Sequence, residues 1–153
     1  KPGEPVEMLF PVRLPAAPCL FTADAKVLSD DFSHRLQVVL LPPERTQPVR
    51  RQWVKDVPKN LSGRLQILFA EPYVLTWCVA AAGRVIPISA AERRVNFREL
   101  RLLLRFENVR IRRVVLQETT AASLPEICRD PRRFIEALGV PPTEVPAEGK
   151  AVP

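Results

Sequence analysis

The chain has 153 residues, 46% of them hydrophobic, and a formal net charge of +6. That length suits one domain with a core large enough to stand without disulfides. Seventeen prolines against five glycines argue against a long helical bundle and favour short strands between stiff turns.

The opening Lys1-Pro2-Gly3-Glu4-Pro5 reads as a polar leader, and as a cut edge of a larger chain rather than a signal peptide. Val6 to Leu14 reads as a strand, with Pro11 marking an edge or a bulge. Pro15 to Pro18 turns, Cys19 to Leu28 is a second strand, and Ser29-Asp30-Asp31 closes it. Leu36 to Leu41 is an apolar run of strand length, expected to be buried on both faces and ended by Pro42-Pro43. Glu44 to Gln52, with Arg45, Arg50 and Arg51, reads as a loop. Trp53 to Val57 is a short strand before the turn at Pro58-Lys59-Asn60.

Leu65 to Ala70 and Tyr73 to Ala80 are the strongest strand signals, joined as a hairpin by Glu71-Pro72. Ala81-Ala82-Gly83 turns into a strand from Arg84 to Ile88. Ser89 and Glu92 stand three apart like a capping box, so a short helix or irregular entry to about Phe97 is expected. Leu102 to Phe106 and Val109 to Gln117 follow as two strands. Glu107-Asn108 between them reads as a tight hairpin turn, which would set Arg105 near Arg110. Ser123 and Glu126 form a second capping-box pattern. The clearest helix starts at the N-cap Asp130 with Pro131 in its first turn and stops at Gly139. Residues 140–153 hold four prolines and no apolar period, so they read as an extended tail.

These elements predict a mostly β fold, a β-sandwich or barrel-like domain over residues 6–139 with one C-terminal helix, and an α+β fold as the alternative. The expected core centre is Val38, Val39, Leu40, Leu65, Ile67, Leu68, Val74, Leu75, Trp77 and Val79.

The residues offer little chemistry. His34 is the single histidine, and its neighbours Asp30, Asp31 and Ser33 alternate along the chain rather than converging, so the set reads as a polar turn. No metal-ligand cluster and no phosphate-cradling glycine motif is present, so no metal or cofactor is expected. The arginine pair and D/N-x-S-x-x-G turn of PilZ cyclic-dinucleotide barrels are not matched. Lys55 stands for the second arginine after Arg51, and Leu65 for the glycine after Asn60-Leu61-Ser62. Cys19, Cys78 and Cys128 are widely spaced, with no C-x-x-C pair, and point to a reducing compartment. No apolar run is long enough to span a membrane, and the reducing compartment that the cysteines favour makes an intracellular location the expectation.

The informative feature is charge. Between Arg93 and Arg133 stand eleven arginines against five acids, an excess of six that equals the net charge of the chain. Arg101, Arg105, Arg110, Arg112, Arg113, Arg132 and Arg133 are the candidate contacts to an anionic partner. The expected function is a non-enzymatic protein-interaction or scaffolding domain whose partner carries an acidic surface. The alternative is an RNA- or ribonucleoprotein-binding protein that uses phosphate contacts, and ranked below both is an enzyme with a dispersed site. Phe97 and Phe106 are the only aromatics of the Arg-rich window, Phe134 follows directly after it, and all three suit a core, so base stacking is poorly served. No small-molecule substrate is indicated.

Overall fold

The computed structural model describes residues 5–10, 18–29, 34–41, 53–56, 62–70, 72–92, 101–139 and 143–144. They form ten strands: β1 (Pro5–Phe10), β2 (Cys19–Val27), β3 (Arg35–Leu41), β4 (Trp53–Asp56), β5 (Ser62–Ala70), β6 (Tyr73–Ala80), β7 (Val85–Glu92), β8 (Arg101–Glu107), β9 (Val109–Glu118) and β10 (Thr143–Glu144). One α-helix, α1 (Pro131–Leu138), follows two single-turn 3-10 helices at Ala121–Ser123 and Glu126–Cys128. The expected loop around Arg45, Arg50 and Arg51, the turns at Pro42-Pro43 and Pro58-Lys59-Asn60, and the entry to Phe97 lie outside the described residues.

Two sheets stack as a β-sandwich. The smaller has the order β1-β8-β3-β4 and the larger the order β10-β7-β6-β5-β2-β9. All neighbours are antiparallel except β10, which pairs parallel with β7 through Thr143 and Glu144. Strand alternation explains how they stick together. Phe21, Ala23 and Ala25 of β2, Leu65, Ile67 and Phe69 of β5, and Leu102, Leu104 and Phe106 of β8 all turn inward and form one core between the sheets.

The larger sheet is also covered on its outer face. Leu20, Leu68, Leu75 and Trp77 pack there with Leu124, Cys128 and Phe134 from the C-terminal segment. Burial on both faces is why Leu65 to Phe69 of β5 and Val74 to Cys78 of β6 read as largely apolar runs, broken only by Gln66 and Thr76, rather than alternating ones. Of the core expected from sequence, Leu65, Ile67, Leu68, Val74, Leu75 and Trp77 are buried, while Val79 is half-buried against the outer cluster. The side chains of Val38, Val39 and Leu40 lie outside the described residues. Replacing Leu68 by Ala is expected to cost about 2–5 kcal/mol, read as a lower urea midpoint at unchanged slope.

α1 forms as its end signals dictate. The Asp130 side chain accepts the Arg132 backbone N–H at 3.0 Å, and Pro131 occupies the first turn. Gly139 closes the helix at φ 81°, donating its N–H to Ile135 and Glu136. Phe134 then stacks on Trp77 with ring centroids 5.8 Å apart.

Three local expectations are corrected. Ser89 and Glu92 lie in β7, where pairing with β6 outweighs the capping pattern. Ser123 and Glu126 belong to two separate 3-10 turns, and Pro125 caps the second. The third correction matters most: β8 and β9 do not pair. β8 lies between β1 and β3 in the smaller sheet, and β9 pairs with β2 in the larger one. Asn108, at φ 60°, carries the chain from one sheet to the other. It is buried, donates its side-chain amide to the Ser29 carbonyl, and accepts the Leu28 N–H on its own carbonyl at 3.0 Å. Arg105 is therefore not set beside Arg110.

The three cysteines are free and buried. Burial pushes the Cys19 and Cys78 thiols up to about 11, with the Glu118 charge adding to the effect at Cys19, and Cys128 up to about 12, from an ordinary 9.0. A raised folded value means stability is complete below about pH 9 and falls as pH rises toward 11. Denaturant unfolding at pH 8 and pH 10.5 is expected to give a lower midpoint at the higher pH, and native thiols are expected to resist alkylation at pH 8.

Candidate functional site

Beyond the end of the larger sheet that α1 covers, the outer face is open. The parity that sends Phe21, Ala23 and Ala25 inward sends Thr22, Asp24 and Lys26 outward on β2. On β5 the outward residues are Arg64 and Gln66, and on β9 they include Arg110 and Arg112. Register brings these rows together. Asp24 lies opposite Arg64 on one side and Arg112 on the other, and Lys26 lies directly opposite Arg110.

A β-bulge adds one more cation. Thr22 pairs with Val115 and Asp24 with Arg112, so Ala23 faces two residues of β9, Arg113 and Val114. Val109 and Ile111 point to the core before the bulge, and Val114 and Leu116 after it. Without that extra residue Arg113 would share the inward phase of Ile111. With it, Arg113 points out, 86% exposed, at φ 54°. A left-handed backbone costs an ordinary residue about 1–2 kcal/mol. The Arg113 Nε sits 3.5 Å from Asp24 Oδ2, whose side chain is 48% exposed.

Of these residues Asp24, Lys26, Arg64, Arg110, Arg112 and Arg113 line an open groove of about 600 Å³. Lys26, Arg64, Arg110, Arg112 and Arg113 supply five positive charges, and Asp24 is the one acid among the lining residues. Its remaining wall is small: Gly63 and Gly83, Ala80 and Ala81, Ser62 and Val79. Among the described residues no aromatic side chain lines it. The groove meets a second recess of about 360 Å³ through Arg64. Its floor is polar: Trp77 donates Nε1–H to Gln66 Oε1 at 2.8 Å, and Gln66 donates Nε2–H to Thr22 Oγ1 at 3.4 Å.

Gly63 shapes the groove wall. It holds φ 154°, and a Cβ there would stand 2.3 Å from the Val79 carbonyl oxygen. Backbone cannot yield as a flexible side chain does, so β5 and β6 would have to separate at this point. Gly63→Ala is expected to cost about 1–3 kcal/mol and to weaken binding at the groove. Thermal unfolding and a binding titration of the same variant check both effects.

Of the seven arginines expected from sequence, Arg110, Arg112 and Arg113 come together. Arg105 is half-buried on β8, on the opposite side of the strand from Leu104 and Phe106, and so faces away from the larger sheet. Arg101 begins β8 in the same smaller sheet, its side chain outside the described residues. Arg132 and Arg133 are exposed on α1. Sequence reading missed Lys26, Arg64 and Asp24. Their signal was outward parity in Thr22-Ala23-Asp24-Ala25-Lys26 and Arg64-Leu65-Gln66-Ile67, but only sheet order makes them neighbours of β9. His34 stands half-buried just before β3, while Asp30, Asp31 and Ser33 lie outside the described residues. Among the described residues no group of three or more His, Cys, Asp or Glu could hold a metal ion, and no helix is long and apolar enough to cross a membrane.

No protein-family model matches the chain, and no curated protein matches it in sequence. Among solved structures it is similar to sheep galectin-11 in complex with glycerol, at 15% identity and a TM-score of 0.47, over 74% of this chain and 97% of the galectin. It is also similar to a toad ovary galectin in complex with thio-digalactose, at 8% identity and a TM-score of 0.43, over 74% and 98% of the two chains.

Proposed function

We propose that this β-sandwich is a non-enzymatic interaction domain of an intracellular protein, and that its basic groove holds an acidic segment of another protein. The observation that carries the reading is the gathering of Lys26, Arg64, Arg110, Arg112 and Arg113 around one acid on a single sheet face. Lys26 and Arg110 stand directly opposite each other. Like charges in that position destabilise a sheet unless an anion lies between them. A partner carboxylate supplies that anion, and arginine forks accept carboxylates in a bidentate fit.

The chemistry of the wall favours protein over RNA. Single-stranded nucleic acid binds on aromatic platforms set in basic grooves, and among the described residues this groove has small walls without a ring. Arg101, Arg105, Arg132 and Arg133 stand apart from the groove in this reading and contribute to the general field rather than to contact.

A fluorescence anisotropy titration tests the reading with two probes of equal charge, a Glu-rich peptide and a single-stranded RNA, each at 50 and 200 mM salt. The peptide is expected to bind more tightly at both concentrations. Tighter RNA binding with a steep loss of affinity in salt would replace the protein partner by nucleic acid. Failure of both probes at 50 mM salt would remove the groove as an anion site.

A further inference from the structure

The groove ends at β9, and β9 is the last strand of the larger sheet: among the described residues it pairs with β2 alone. Which of its main-chain groups face outward follows from one hydrogen bond. Leu28 donates its N–H to the Asn108 carbonyl at 3.0 Å, so Leu28 and Asn108 are a hydrogen-bonded pair. Such pairs recur at every second residue of an antiparallel ladder. The next are Lys26 with Arg110 and Asp24 with Arg112. Val109 and Ile111 therefore turn their N–H and C=O groups away from β2, toward the open edge. Of the same two residues Val109 buries its side chain in the sandwich core and Ile111, half-buried, packs against it, while Arg110 and Arg112 present theirs on the groove face. The edge thus offers a main-chain ladder and a cationic row at a spacing of two.

We infer that the acidic partner segment binds as an added β-strand along β9, hydrogen-bonded to Val109 and Ile111, with acidic side chains at alternate positions facing Arg110 and Arg112. This rests on the acidic-segment reading of the groove and adds its conformation and its spacing. Residues opposite each other across paired strands share a face, so a carboxylate opposite each arginine completes the row. The bulge at Arg113 ends the regular stretch and limits the register to a few residues. A second copy of this chain is a poor occupant, because pairing β9 with itself brings arginine rows together. The same residues that close the edge to self-association select an acidic strand.

The test uses the full chain and synthetic peptides of alternating Asp and Val. One peptide is unmodified, one is N-methylated at the Asp positions, and one at the Val positions. Methylation removes the N–H donors that point to one side of the peptide strand and leaves its charge intact. One of the two methylated peptides is expected to lose affinity by roughly tenfold, the effect of two lost hydrogen bonds of ordinary strength, while the other binds as the unmodified peptide does. Amide exchange at Val109 and Ile111 is expected to slow in the complex. Equal binding of all three peptides, with exchange unchanged, would overturn strand addition and leave the groove as an electrostatic site. Slowing at these amides that depends on protein concentration without peptide would make a second copy the occupant and also overturn it. Failure of every peptide to bind would remove the acidic-segment reading itself and this mode with it.

Discussion

Truncating Trp77 to Ala is expected to lower the unfolding free energy by about 3–5 kcal/mol. Trp77 has 0% of its surface exposed and stands on the outer face of β6, where Leu20, Leu68 and Leu75 surround it. Its ring holds Phe134, and Phe134 is the only fully buried side chain of α1. Removing the indole opens a cavity and also takes the donor from Gln66 Oε1, leaving a buried acceptor unpaired. Both effects act at the seam between helix and sheet, so α1 should loosen before the sandwich does. Trp77→Phe keeps the ring contact and gives up the hydrogen bond, so its loss should be smaller, about 1–3 kcal/mol. Denaturant unfolding with amide exchange on α1 reads both quantities. A loss below about 1 kcal/mol for the Ala variant would mean that the outer cluster does not hold the helix.

Reversing two charges, Arg110→Glu together with Arg112→Glu, is expected to weaken acidic-peptide binding by roughly fourfold to several hundredfold. Each exposed pair contributes about 0.2–1 kcal/mol, and reversal turns each attraction into a repulsion of similar size. Stability should change little. Arg110→Glu would set an opposite charge against Lys26 across the ladder, a gain of about 0.2–1 kcal/mol, while Arg112→Glu would set a like charge against Asp24, a loss of similar size. Binding lost while stability holds or rises is the mark of residues kept for a partner. Loss of both together would mean that these arginines serve the fold.

Much of the fold is legible in the sequence because local signals and tertiary contacts agree there. Leu65 to Ala70 and Tyr73 to Ala80 are apolar apart from Gln66 and Thr76 because both faces of those strands are covered, one by the smaller sheet and one by the C-terminal segment. Asp130, Pro131 and Gly139 mark α1 because each meets a backbone demand that no neighbour alters. Ser89 and Glu92 mislead because pairing with β6 is worth more than a capping box. Asn108 misleads in another way. Its left-handed backbone is what a tight hairpin turn needs, and the same conformation serves a crossing between sheets. Nothing local distinguishes the two.

The site was half legible for the same reason. The Arg110-x-Arg112 alternation is plain, while the bulge that turns Arg113 outward shows only in the pairing with β2. The partners Lys26 and Arg64 belong to strands far away in sequence. They reach the groove only through the order β5-β2-β9, which depends on long-range pairing. Arg105, four residues from Val109, ends in the other sheet. Proximity in sequence and proximity on the surface part company at Asn108.

The central claim is that the anionic partner sits on the outer face of the larger sheet. Amide chemical-shift mapping of the full chain, titrated with a Glu-rich peptide, locates it directly. The account predicts shifts concentrated at Asp24 to Lys26, Ser62 to Arg64, Val79 to Gly83 and Val109 to Arg113, with Arg105, Arg132 and Arg133 unmoved. Shifts centred on Arg105 in the smaller sheet, or on Arg132 and Arg133 of α1, with the groove silent, would contradict it.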